Sequence, residues 1–185
     1  MCPPPYAAAL RADTHGSPEA DVGVRTWSAM VVLEEQARAL ADGVDAALPR
    51  WVERSVEHLL VAYKGSVEPA VMAAAREAGE EAKADVGVRV RALLEADIDE
   101  QRTNPLTLLR QAVRYPTDVL RQAGVPPVHR DRFAEERFPD DDYDLTPTSF
   151  ADIDPSLFDA GLAWGAAKAW VHKQRHGGPR NGASQ

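Results

Sequence analysis

The sequence holds a single cysteine among 185 residues, Cys2, and places it in a leader that also carries Pro3, Pro4 and Pro5. One thiol excludes an internal disulfide and a thiolate metal cluster, and such sparing use of cysteine fits a reducing compartment. Long apolar runs are missing as well. None approaches the roughly 18 residues that a membrane-crossing helix needs, and Met1-Cys2-Pro3-Pro4-Pro5-Tyr6 has neither the basic nor the apolar region of a secretory signal. The expectation is a cytoplasmic chain with no membrane partner. Positive charge is in deficit, with 21 Lys and Arg against 29 Asp and Glu and a net charge of −8. That balance argues against binding nucleic acid over the whole surface and leaves a local basic patch open. Lysine is rarer still, 4 residues against 17 arginines, a ratio that reads as GC-rich coding and carries no function.

Catalytic templates are absent too. There is no Gly-rich phosphate loop whose backbone N–H groups would approach a phosphate, and no Gly-x-Ser-x-Gly elbow to expose a serine. The helical di-metal site requires Glu three residues before His, yet Ser55, Pro126, Ala169 and Lys173 precede His58, His129, His172 and His176. His-Glu-x-x-His is missing. No catalytic residue, cofactor or metal ligand is assigned. His172 and His176 stand four apart, a spacing two imidazoles can use on a metal, but no third ligand is evident, and an interaction with the helix C-terminus is the alternative.

What is present is helical periodicity in a chain that is 44% apolar and 27% charged, a normal globular balance. Leu33, Ala37, Leu40, Val44 and Leu48 follow steps of three and four, extending a face begun by Trp27, Met30 and Val31. Pro49 is expected to end that helix and open another carrying Val52, Val56, Leu59, Leu60 and Tyr63, with Gly65 as its stop. The period runs on from Val67 to Ile98 as a long helix or two stacked pieces, weakened at Gly79 and Gly87. Asn104-Pro105 reads as a cap and first-turn proline. A kink is expected near Tyr115, before Pro116, and a stop at Gly124. A short helical turn follows at Arg132 to Arg137, then an acidic irregular crossing to Pro147. Asp154-Pro155 starts a last helix reaching about Arg175. That helix is apolar nearly all round, which predicts a central or covered position. Trp27 and Trp51, at apolar helical positions, read as core.

The fold class expected is all-α, a single-domain helical bundle of about five helices with mobile termini: a flexible leader at 1–20, the helical domain at 21–176 and a flexible tail at 177–185. Ala20-Asp21-Val22-Gly23-Val24-Arg25 recurs as Ala84-Asp85-Val86-Gly87-Val88-Arg89. A duplicated unit and a coincidence in an Ala/Val/Arg-rich chain both fit, since the flanks do not match.

Charge is segregated. Six arginines and two aspartates occupy 102–132, and nine acids with one arginine occupy 135–159. Arg110, Arg114 and Arg121 would share a face of an unbroken helix, opposite Leu106, Leu109 and Val113. Guanidinium forks on such a face suit phosphates or carboxylates. Asp140, Asp141, Asp142 and Asp144 form the complementary acidic loop, which lacks the glycine and distal glutamate of a calcium loop. The acidic crossing folding back on the arginines is the competing reading. In the last helix, Gly161, Gly165 and Ala169 give a flat strip beside Trp164, suited to helix packing within the domain or between copies.

Arg102-Thr103-Asn104-Pro105-Leu106, Arg114-Tyr115-Pro116-Thr117 and Trp164-Gly165-Ala166-Ala167-Lys168-Ala169 make residues 98–172 resemble an uncharacterised family of actinobacterial cytoplasmic proteins. The resemblance implies a bacterial cytoplasmic setting and brings no activity. The sequence therefore points to a non-enzymatic adaptor or regulatory protein that meets a protein partner through its arginine face and acidic loop. Binding of RNA or the ribosome by the same arginines ranks second, and an enzyme of unfamiliar type, with His129 near a pocket between helices, third. A homo-oligomer stays open.

Overall fold

The computed structural model describes residues 18–96 and 104–176. The expected leader up to residue 17 and the tail at 177–185 lie outside them. Helix α1 runs without interruption over Pro18–Lys64, 47 residues, with Pro49 inside it. This corrects the break expected at Pro49. An internal proline forfeits one helical hydrogen bond and costs about 3 kcal/mol in an isolated helix. Here Leu48, Val52 and Val56, on both sides of it, are fully buried, and that packing holds the rod together. Gly65, with φ +70°, ends the helix in the left-handed geometry glycine favours.

Helix α2 (Pro69–Ala82) continues through a π turn at Lys83–Gly87 into α3 (Val88–Glu95). Gly79 and Gly87 are contact points rather than weak points. A Cβ on Gly79 would stand 2.9 Å from the Cα and carbonyl oxygen of Pro49, and one on Gly87 would stand 2.7 Å from Asp45 Oδ1. Both glycines are buried, so α2 lies against the α1 backbone at Pro49 and the π turn against the Asp45 side chain. The two copies of the repeated hexapeptide occupy different geometries, one inside α1 and the other across the π turn.

Helix α4 (Pro105–Leu109) opens where expected, Asn104 accepting from the Leu106 N–H at 2.9 Å. A 3₁₀ turn at Arg110–Val113 leads into α5 (Arg114–Gln122). The kink thus precedes the expected position. Tyr115 is helical and buried, because Pro116 falls in the first turn of α5, where a missing N–H costs little. Gly124, with φ +73°, follows the end of α5. Helix α6 (Arg132–Arg137) is capped by Asp131, which accepts from the Ala134 N–H. Helix α7 (Phe150–Ile153) was not foreseen, and a 3₁₀ turn at Pro155–Leu157 leads into α8 (Phe158–His176). No strand occurs among the described residues, and no helix among them is long and apolar enough to cross a membrane.

The architecture is a helical bundle around α1, which packs against α2, α3, α5, α7 and α8. Its first part shares one core with α3, α4, α7 and α8, built on Leu40, Val44, Leu48, Val86, Leu109, Ile153 and Trp164. Further along, Val56 and Leu60 join Ala75, Val119, Leu120, Val125 and Tyr143 in a second. Two expectations are corrected here. Trp27 is 68% exposed, beyond the Arg175–Met30 contact of α8 with α1 among the described residues. Helix α8 lies on the bundle by one face, burying Trp164, Ala167 and Val171 and leaving Phe158 and Leu162 in solvent.

Candidate functional site: a cleft between the arginine face and the acidic crossing

Residues 138–149 leave α6 and pass across the face of the 3₁₀ turn and α5. Specific contacts hold this crossing in place. Tyr143 is buried and its hydroxyl donates to the Val125 carbonyl at 2.7 Å, while the Val128 N–H donates to the Asp142 carbonyl at 2.9 Å. Asp141 is 1% exposed and accepts from the N–H groups of Tyr143 at 3.2 Å and Thr146 at 2.6 Å. Arg130 donates to the Phe138 carbonyl at 2.8 Å. Between the crossing and the helix lies an open cleft of about 700 Å³.

The arginines that line the cleft differ in what they hold. Arg121 donates through Nε to Asp142 at 2.8 Å, and this bond raises the guanidinium pKa above its ordinary value. The crossing therefore does fold back on the arginine face at this point. Arg114 turns to another helix, donating to Asp85 and to the Tyr115 hydroxyl, both at 2.7 Å; Tyr115 in turn donates to Asp85 at 3.1 Å. The bond to the phenol leads the causes that raise its pKa. Arg110 and Arg137 form no ion pair among the described residues. Their guanidinium carbons instead sit 5.5 and 5.1 Å from the centroid of the same Phe138 ring. The 3₁₀ turn that carries Arg110 leads into α5, and Arg110, Arg114 and Arg121 all line the cleft.

Two polar atoms in the lining are buried without a hydrogen-bond partner: Arg110 Nε and Thr117 Oγ1. Thr117 is 2% exposed. A buried donor left unmatched costs about 1–3 kcal/mol, so the cleft carries unmet hydrogen-bonding capacity as well as unmatched positive charge. Sequence reasoning did not reach Thr117, Phe138 or Arg137. Arg137 looked like a lone counter-ion in an acidic stretch, and only the tertiary fold brings it to α5.

The remaining sequence candidates are dispersed. Asp140 is exposed on the rim of the cleft, Asp141 is turned inward as a loop brace, and Asp142 is taken by Arg121. Asp144, with φ +60°, faces a second groove that also contains Trp51 and His58. His129 is exposed and lines neither. In α8 the small-residue strip divides. A Cβ on Gly161 would meet Phe150 at 3.2 Å, and Trp164 packs edge-to-face on the same ring at 6.3 Å. Gly165 and Ala169 are open to solvent. The His172 and His176 rings lie tilted against each other with centroids 4.6 Å apart, and no group of three His, Cys, Asp or Glu side chains able to hold a metal occurs among the described residues.

No family model, curated protein or solved structure matches this chain. The likeness of residues 98–172 to an actinobacterial family therefore gains nothing from these comparisons. The functional argument rests on the geometry of the cleft. The cleft offers two guanidiniums without an ion pair among the described residues, in a lining that also holds Asp118 and Asp140, at the edge of a space large enough for a side chain or a short segment of another molecule.

Proposed function

We propose that this protein is a binding module, adaptor or regulatory in role, that receives an acidic segment of a partner protein in the cleft between α5 and the Phe138–Thr146 crossing. The observation that carries the reading is the pair Arg110 and Arg137, stacked on one ring with no ion-pair partner among the described residues. Arg110 is half-buried with its Nε covered and unpartnered, and Arg137 reaches the same ring from the solvent side. Arg114 and Arg121, the more obvious candidates in the sequence, contribute less because each already holds a carboxylate.

The test is affinity capture of the tagged full chain from its native cell after nuclease treatment, run beside an Arg110→Glu/Arg137→Glu double variant. A specific protein retained by the parent and lost from the variant supports the reading. Identical protein sets in both overturn it, and a captured set that disappears with nuclease assigns the cleft to nucleic acid instead.

A further inference from the structure

The unused capacity of the cleft has a definite sign and size. Arg114 holds Asp85, Arg121 holds Asp142, and Asp141 is occupied by two backbone N–H groups. What remains without a partner is the guanidiniums of Arg110 and Arg137, the Nε of Arg110 and the hydroxyl of Thr117, set against the exposed carboxylate of Asp140; Asp118, also in the lining, lies 3.7 Å from Arg121. Two like charges share one aromatic ring with no carboxylate bonded to either. Phe138, half-buried, offers both of them the negative face of its ring, and Arg137 also lies 6.0 Å from the centroid of Phe133.

We infer that the cleft is a phosphate-monoester site whose ligand is a phosphorylated serine or threonine of the partner, received by Arg110, Arg137 and Thr117. The inference rests on the acidic-partner reading above and narrows it. A carboxylate brings one charge and would leave one guanidinium unmatched. A phosphate monoester carries about −1.5 to −2 at neutral pH and offers three acceptor oxygens, the complement of two guanidiniums and a hydroxyl. The chain's net charge of −8 disfavours a long polyanion such as nucleic acid while tolerating a single phosphate. Arg110 Nε and Thr117 Oγ1 are covered in the free protein, so Arg110 swings off the Phe138 ring as the phosphate enters. Asp140 on the rim opposes the ligand and limits its affinity.

The experiment titrates the full chain at fixed ionic strength with a short neutral peptide containing one phosphoserine. Parallel titrations use the same peptide with serine, the same peptide with glutamate, and adenosine 5′-monophosphate, all followed by amide chemical shifts. Saturable binding of the phosphopeptide with a Kd on the order of 100 µM is expected, with shifts centred on Arg110, Thr117 and Phe138. The glutamate peptide should bind about tenfold more weakly and the serine peptide not at all. Arg137→Ala, a change at an exposed side chain, should weaken the phosphopeptide about tenfold or more. Thr117→Val should weaken it several-fold without lowering the thermal midpoint, since the hydroxyl it removes bonds nothing in the free protein. Asp140→Asn should tighten binding.

Equal affinity for the glutamate and phosphoserine peptides overturns the inference, as do nucleotide binding as tight as the phosphopeptide and unchanged affinity in both Arg137→Ala and Thr117→Val. If the phosphopeptide fails while protein capture still depends on Arg110 and Arg137, the phosphate inference falls and the acidic-partner reading stands. If the phosphopeptide binds but capture ignores the two arginines, the partner reading falls, and with it the protein source of the phosphate.

Discussion

Arg91 and the pair Arg110 and Arg137 are equally cationic, and the fold treats them in opposite ways. Arg91, on α3, bonds Asp45 and Asp42 of α1 and lies 3.6 Å from Glu95. The bond to Asp45 is the first of the causes that push its pKa above the ordinary value. Acids surround it where α3 lies on α1, about three turns past the point at which Gly79 of α2 meets Pro49. At the cleft, the acids that the chain supplies in abundance are spent elsewhere. Asp141 braces its own loop and Asp142 takes Arg121, and the remaining two arginines are left to an aromatic ring. The seam is closed sterically and electrostatically; the cleft is closed in neither sense. An abundance of acid nearby in sequence does not neutralise a base, because the loop's own backbone competes for it.

Four measurements can break or sharpen that contrast. The largest effect is expected in the seam from Gly79→Val, which drives a side chain into the Pro49 backbone and should cost about 3 kcal/mol by urea denaturation. A cost under about 1 kcal/mol would mean the two helices can part there, and that the seam is looser than its geometry. Asp141→Ala comes next: it orphans the N–H groups of Tyr143 and Thr146 and should cost about 2 kcal/mol. Hydrogen exchange should then accelerate across 139–147 while α1 stays protected.

The third measurement sets the two kinds of arginine side by side. Arg91 is about a third exposed and its partner Asp45 less so, so solvent screening leaves Arg91→Ala a cost of about 1 kcal/mol. Arg137→Ala should fall within about 0.5 kcal/mol of the parent. Equal costs would show that Arg137 serves the fold after all.

The smallest effect is in acid. Burial alone would raise the pKa of Asp152, but the N–H groups of Thr148 and Ser149 and the Thr148 hydroxyl outweigh it and hold the carboxyl below 3.8. A folded pKa below the unfolded one adds stability that is present above pH 3.8 and is lost as pH falls through the folded value. Asp152→Asn should therefore flatten the acid limb of a stability–pH curve; an unchanged limb would show that this carboxylate is not linked to folding.

The local part of the fold was legible. Asn104 and Asp154 cap helical turns where short-range hydrogen bonding says they should, and Gly65 and Gly124 stop helices at positive φ. What the sequence hid depends on distant neighbours. Pro49 reads as a break, and only the burial of Leu48 and Val52 beside it explains a continuous rod. Trp27 looks like core because its spacing is right, yet no element among the described residues covers it. Helix α7, four residues long, is too short to show a period. The arginine face was legible as a stripe, but Asp85, 29 residues away from Arg114, could not be seen as its partner. Arg137 and Thr117 meet only through the crossing.

The unbroken α1 also dictates an order of events at the ribosome. This rod is made before any helix it packs against. Leu40 and Val44 then wait for Leu157 and Trp164, more than a hundred residues downstream, an interval on the order of ten seconds at ordinary rates of translation. Through that interval α2 and α3 are the partners nearest in the chain, and the stripe destined for α8 stays bare. The nascent protein passes through a stage in which its longest helix presents an unfinished apolar surface, the kind of surface holding chaperones recognise.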